Sequence, residues 1–235
     1  MKYRLMRLNF CFCSVVVLMQ VVKRGTMRAF KASALGGGLR KQDTDTYIQF
    51  YDSPLGELVM SSDGSALIGV GLASQQAAGA DVAGSRPQEK SLPVFQDTAR
   101  WLETYFRGCA PLFTPHLKLS GSDFQKRVCE IMLTIPYGET VTYGEIAAQI
   151  ARERGIPRMS AQAVGGAVGA NPILLIVPCH RVIGAGGNLT GYGAGMERKI
   201  QLLTLETVDM TSLYVPKKKP VTKKQPLPKN PRPRS

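Results

Sequence analysis

Apolar and polar residues alternate with a period of two through three short stretches, Thr46–Tyr51, Glu57–Ser62 and Ser65–Val70. That period fits half-buried strands. Ser53-Pro54-Leu55-Gly56 and Asp63-Gly64 supply turn chemistry between them, which predicts a small antiparallel meander. Ala73 to Leu92, rich in Ala, Gly, Ser and Gln, reads as a surface connection. The apolar period then lengthens to helical spacing over Val94–Phe106, through Phe95, Thr98/Ala99, Leu102 and Tyr105/Phe106, and Gly108 closes it. Pro111 to Ser120 reads as extended.

A second region opens at Ser122. Ser122 and Asp123 can cap a helix whose apolar positions Phe124, Val128, Ile131 and Met132 share one face. Pro136-Tyr137-Gly138 ends it. Thr142, with Glu145 three residues on, forms a capping box for a helix over Tyr143–Ala151. After the break at Gly155-Ile156-Pro157, Ser160 opens a further helix over Ala161–Gly169, and the pair has a helix-turn-helix outline. Gly165, Gly166 and Gly169 each cost that helix about 1 kcal/mol relative to Ala. Tight helix packing would explain them, and so would a helix that must enter a narrow groove. The absence of long Arg or Lys side chains on it points to the minor rather than the major groove. Ile173 to Val177 is a continuous apolar run, which predicts a buried strand. A last helix spans Met196–Glu206.

Charge changes the picture less than its total suggests. The net charge of the 235 residues is +13, but residues 1–41 hold nine Lys/Arg and residues 216–235 hold eight, with no acid in either. Between them stand 13 basic and 17 acidic residues. The basicity belongs to the ends, and a mild excess returns only within Thr142–Glu206, as suits a DNA contact governed by fit as well as charge. The Pro- and Lys-rich tail, 211–235, reads as disordered; it could bind phosphate, act as a nuclear address, or simply be solvated. In 1–45, basic residues precede the apolar stretch Leu8–Val22, which is short for a membrane span. An upstream start (Met27 being the alternative), a disordered extension and a targeting segment all fit this stretch. The expected organisation is therefore an extension (1–45), an α/β domain (46–118), a mainly α domain (119–210) and a tail (211–235).

Five cysteines, at 11, 13, 109, 129 and 179, have neither disulfide-framework nor metal-site spacing. A reducing compartment is expected, the cytoplasm or, in a eukaryote, the nucleus, with no metal and no cofactor. The predicted strand runs directly into Cys179-His180, so it delivers a thiol and an imidazole to the edge of a core. A thiol attacks as thiolate and needs a base or cation to lower its pKa. Buried cysteine is more often an inert small hydrophobe. Neighbours on a strand also point to opposite faces, so His180 can serve Cys179 only if the chain turns at Pro178 or a water relays the proton. Glu206 could hold the imidazole from its other nitrogen.

Val177-Pro178-Cys179-His180-Arg181-Val182, with Asn171-Pro172 before it and Leu189-Thr190-Gly191-Tyr192 after it, strongly resembles the O6-alkylguanine-DNA alkyltransferases. So do Phe124-Gln125-Lys126-Arg127-Val128, Ile135-Pro136-Tyr137-Gly138-Glu139-Thr140 and Thr142-Tyr143-Gly144-Glu145-Ile146-Ala147. The likeness is dense over Ser122–Glu206 and looser over Tyr47–Pro115, where Asp52-Ser53-Pro54-Leu55-Gly56 fits. It implies a ribonuclease H-like α/β domain with an antiparallel sheet, followed by a winged helix-turn-helix domain that binds alkylated double-stranded DNA in the minor groove and flips the damaged guanine out. The implied protein is a monomer with no membrane contact. By this resemblance Cys179 accepts the alkyl group, while His180, through water, and Glu206 draw off its proton. Asn171 braces the turn, and Tyr143 stands near the rotating phosphate and can protonate the leaving guanine. Gln162, Ala163, Gly166 and Arg181 belong to the DNA side, and Tyr192, Gly193 and Ala194 to the pocket loop. Attack at a saturated carbon needs no oxyanion hole, only a protonated leaving group, which a phenol can supply.

Gln162 stands where many relatives of this kind place an arginine that fills the stack. Arg158 could supply a phosphate contact instead, and the insert Arg152–Met159 lengthens the turn before it. Rival readings are a lesion-binding relative without transfer, a methyl-sensing regulator, and a papain-type hydrolase. The first lacks the acceptor cysteine, the second needs a zinc domain, and the third needs Cys and His in separate motifs; none of these fits the residues present.

Overall fold

The computed structural model describes residues 46–76 and 88–216. The expectations for 1–45, for most of the tail and for 77–87 lie outside them. Three strands, β1 (Tyr47–Ser53), β2 (Gly56–Ser62) and β3 (Leu67–Leu72), form the antiparallel meander. Gly56, at φ 107°, makes the first turn. The third strand starts two residues later than the alternation predicts. The Asp63 carboxylate accepts from the N–H groups of Ser65 and Ala66, which extends the turn through Ala66.

The stretch expected to be a plain connection holds two elements: a four-residue helix, α1 (Ala73–Gln76), and a short strand, β4 (Gln88–Glu89), parallel to β1. Sheet order is β3-β2-β1-β4. Helix α2 (Pro93–Phe106) covers the sheet with Val94, Phe95, Thr98, Trp101, Leu102 and Tyr105, the face its spacing marks. Leu117, in the segment that follows, bridges to Leu67.

The second region is mainly helical. Both α3 (Asp123–Leu133) and α4 (Tyr143–Glu153) start in complete capping boxes, Ser122 with Gln125 and Thr142 with Glu145. Between them lies β5 (Val141–Thr142). Helix α5 (Ala161–Gly169), capped by Ser160, packs on α3 and α4 and completes the helix-turn-helix.

The strand predicted over Ile173–Val177 does not form. Only Ile173 bridges to a strand residue, Val70, and Leu175 takes φ 71°, which no strand tolerates. Asn171 is the physical reason. Its Oδ1 accepts from Ile173 N at 3.0 Å and its Nδ2 donates to Val177 O at 2.8 Å, so the segment folds back on itself. The chain then makes a 3-10 turn, Cys179–Arg181, and β6 (Val182–Ile183) pairs parallel with β5. Helix α6 (Met196–Leu205) ends the domain with Glu206 as its C-cap.

The two regions share one core. Leu58, Met60, Phe95 and Leu102 from the first belong to the same buried cluster as Val128, Ile146, Ile173 and Leu202 from the second. Backbone bonds cross the seam: Val70 N donates to Pro172 O and Leu174 N to Val70 O, both at 2.9 Å. The sheet edge thus fixes the segment that carries Cys179. Among the described residues no helix is long and apolar enough to cross a membrane.

Candidate active site

Cys179 heads the 3-10 turn, buried to 4% exposure, beside a cavity of about 210 Å³. Val70, Leu72 and Gln75 line one side of it, Val168, Gly169 and Asn171 another, and Gly191 and Gly193 close it. The turn solves the geometry a strand forbids, because Cys179 and His180 no longer alternate across a pleat.

Burial pushes the Cys179 thiol up. The Asn171 amide, the Lys199 charge and the N–H groups of Cys179 and His180 oppose that rise without cancelling it. The resting sulfur is therefore a protonated thiol that needs a base. Burial pulls His180 below 6.5 against the opposing pull of Glu206, so the imidazole is neutral. Its Nε2 lies 2.7 Å from Glu206 Oε1. Burial of Glu206 favours the neutral acid, but hydrogen bonds from His180 and Arg181 outweigh it and hold its pKa at about 2. An ionised carboxylate only accepts, so Nε2 carries the proton and Nδ1 is the basic nitrogen. That Nδ1 is buried and bonds to no group among the described residues.

Around Glu206 the polar groups are nearly saturated. Oε1 accepts from Tyr105 Oη at 2.6 Å and from Arg181 Nη2 at 3.0 Å. Oε2 accepts from Arg181 Nε at 2.8 Å and from Gly138 N at 3.2 Å. The pocket loop, residues 190–195, is tied as firmly. Tyr143 Oη donates towards the carbonyls of Thr190 and Gly191 at 3.2 and 3.3 Å. Lys199 Nζ donates to Val182 O and Thr190 O at 2.6 and 2.9 Å. A Cβ on Gly191, at φ 64°, would sit 2.8 Å from Tyr143 Oη, so this close approach requires glycine.

Residues 46–119 match the family described as 6-O-methylguanine DNA methyltransferase, ribonuclease-like domain. Residues 123–208 match 6-O-methylguanine DNA methyltransferase, DNA binding domain. The methylated-DNA--protein-cysteine methyltransferase of Mycobacterium leprae is 46% identical over 155 residues, 66% of this chain and 88% of that protein. The one from Haemophilus influenzae is 38% identical over 169 residues, 70% of this chain and 88% of its own. The crystal structure of Mycobacterium tuberculosis OGT in complex with DNA superposes with a TM-score of 0.58 at 44% identity, covering 68% of this chain and 92% of that one. The chain belongs to the 6-O-methylguanine DNA methyltransferase family. Its ribonuclease-like and DNA-binding parts are the α/β and helix-turn-helix regions described above.

Among the residues expected to act in this methyltransferase fold, Cys179, Asn171 and Gly193 meet at one cavity, which Gly191 also lines. His180 and Glu206 lie behind it, and Tyr192 packs edge-on to His180 at 6.4 Å. Ala194 is buried beneath the loop. Tyr143 touches the loop backbone, and burial together with the neighbouring Cys179 raises its pKa, which keeps the phenol protonated. Gln162, Ala163 and Gly166 lie on the exposed face of α5.

One expectation fails. Arg181 is not on the DNA side. It is buried to 7% exposure, its Nε and Nη2 bond Glu206, and its Nη1 donates to Ile135 O at 2.7 Å. A guanidinium so occupied has no fork left for phosphate. The glycines of α5 also receive a partial answer. A Cβ at Gly165 would meet the Tyr143 ring at 3.9 Å, but at Gly166 or Gly169 it would meet nothing within 4 Å. Packing inside the chain does not require those two.

Two residues of this family site escaped the sequence reading. Tyr105 was legible as an apolar-face position, but its partners Glu206 and His180 lie 101 and 75 residues away. Lys199 follows Glu197 and Arg198 in the chain and was given no role. Its spacing held the signal, since Lys199, Leu202 and Glu206 fall at i, i+3 and i+7 on one helix face.

Proposed function

We propose that this chain repairs DNA by moving the alkyl group of O6-alkylguanine onto its own Cys179, once per molecule. The observation that carries the reading is a buried thiol beside a base-sized cavity, next to a neutral histidine whose Nδ1 has no partner among the described residues. The exposed Gln162, Ala163 and Gly166 face of α5 enters the minor groove, where small side chains allow close approach, and the damaged guanine swings out into the cavity. Unstacking costs a few kcal/mol, less for a mispaired lesion.

In the transfer, the thiol proton leaves for His180 Nδ1 through one bridging water as the sulfur attacks the alkyl carbon. Glu206, held anionic by Arg181, stabilises the imidazolium that forms. The carbon–O6 bond breaks and its electron pair goes to the guanine, which the Tyr143 phenol protonates. The Lys199 charge favours the developing thiolate. A thioether has no easy reversal, so each chain acts once. None of these steps calls on a metal or cofactor. A reduced thiol fits the cytoplasm, or the nucleus in a eukaryote.

The test is intact-protein mass spectrometry after incubation with a duplex carrying O6-methylguanine. One added methylene mass per chain, mapped to the peptide holding Cys179, is expected. Cys179→Ala is expected to abolish transfer and still bind duplex. Steady turnover, or transfer by Cys179→Ala, refutes the assignment.

A further inference from the structure

The pocket loop is flanked by two glycines in left-handed conformation, Gly191 at φ 64° and Gly195 at φ 96°, which suits it to move as a unit. Its ends are anchored within the DNA-binding region: Thr190 and Gly191 by Tyr143 and Lys199, Ala194 by Arg198 Nη1 at 3.0 Å. The middle is not. A Cβ at Gly193 would meet no atom of the described residues within 4 Å, so none of them packs against that side. The hydrogen bond that Gly193 O accepts comes from the other domain: Gln75 Nε2 donates to it at 2.9 Å, across 118 residues of chain.

Gln75 sits on α1, directly after β3, and β3 is seated by the Val70 bonds to Pro172 and Leu174. Its position is therefore fixed relative to Cys179. Gln75 and Gly193 both line the cavity that holds the sulfur, so their bond spans that cavity and ties one wall to another. It is also exposed, so it can open without unfolding anything around it.

We propose that Gln75 is a specificity-determining residue: by tethering Gly193 it limits the size of the O6-substituent that reaches Cys179. The inference rests on the proposed function and adds the substrate range. A methyl group needs no space beyond the tethered cavity. A flat aromatic substituent such as benzyl needs the loop to move outward, and must break the bond to do so. Gln75 acts through the loop and touches none of the reacting atoms, so it is a positioning residue.

The experiment compares single-turnover transfer by the full chain from two duplexes of identical sequence, one with O6-methylguanine and one with O6-benzylguanine. Gln75→Leu keeps the side-chain bulk and removes the donor; Gln75→Ala removes both. In each variant the benzyl-to-methyl rate ratio is expected to rise about fivefold, the factor one neutral hydrogen bond carries in an equilibrium. A general loss of structure would lower both rates and leave the ratio alone. A ratio within twofold of wild type in both variants overturns the proposal. A rise in Gln75→Ala alone also overturns it, since bulk and not the tether would then set the limit. If the wild type transfers from neither duplex, the proposed function itself fails, and the tether with it.

Discussion

At the scale of single residues, the site is a problem in burying charge. Glu206 is fully buried and anionic, which is tolerable only because Arg181, His180, Tyr105 and Gly138 all donate to it. Glu206→Gln keeps the shape, removes the charge and leaves the Arg181 guanidinium buried without a counterion. Denaturant unfolding is expected to register a loss of about 3 kcal/mol, as for other buried pairs broken from one side. Methyl transfer is expected to slow by about 100-fold, since the imidazolium loses its support. A variant as stable and as fast as wild type would remove Glu206 from both roles. Tyr105→Phe is gentler. It deletes one hydroxyl bonded to Glu206, so about 1–2 kcal/mol of stability is expected to go, with a smaller loss in rate.

At the scale of elements, helix α5 carries no charge, and Gln162 on its exposed face is neutral. Arg158, exposed in the preceding turn, forms no ion pair among the described residues. Gln162→Arg is expected to speed repair of alkylated duplex several-fold at physiological salt, because it adds charge and a stacking plane where the flipped base leaves. Measured rates and salt slopes identical to wild type would dismiss the idea. The helices were legible because amphipathic period and capping chemistry are local: Ser122 stands directly before its helix, and Thr142 with Glu145 sit three residues apart. The segment Ile173–Val177 was misread for the opposite reason. Five apolar residues satisfy a strand and a buried turn equally, and what decides is the Asn171 amide bonding two backbone groups at once. Arg181 was misassigned because no local signal links it to Glu206, which lies 25 residues further along the chain and takes up its fork. The strand β4 and the two-residue sheet of β5 and β6 are too short to carry any period.

At the scale of the whole molecule, one core runs under both family domains and backbone bonds stitch the seam. Heat is therefore expected to unfold the two as a unit. Calorimetry should give one transition with equal calorimetric and van't Hoff enthalpies, and two resolved transitions would contradict the shared core. Acid is expected to weaken it in two steps. His180 titrates below 6.5 when folded and at about 6.5 when unfolded, so the unfolded chain binds more protons under that pH and stability starts to fall there. Glu206, at about 2 folded against 4.5, adds a second loss as pH drops between those values. Unfolding midpoints followed against pH should show both, and Glu206→Gln should shrink the lower loss without removing it, because Asp63, Glu145, Glu153 and Asp209 are also held below their ordinary values.

Lys199 has a use beyond the reaction. Its ammonium is fully buried with Val182 O and Thr190 O as partners, and burial lowers its pKa to about 8. That lowered value belongs to the buried state: once uncovered, the amine regains its water and reacts with an acylating reagent as a surface lysine does. Kept covered, it stays silent. Peptide mapping of acylated lysines therefore offers a clock for how often the loop over the cavity lifts, with no label built in and no nucleic acid present.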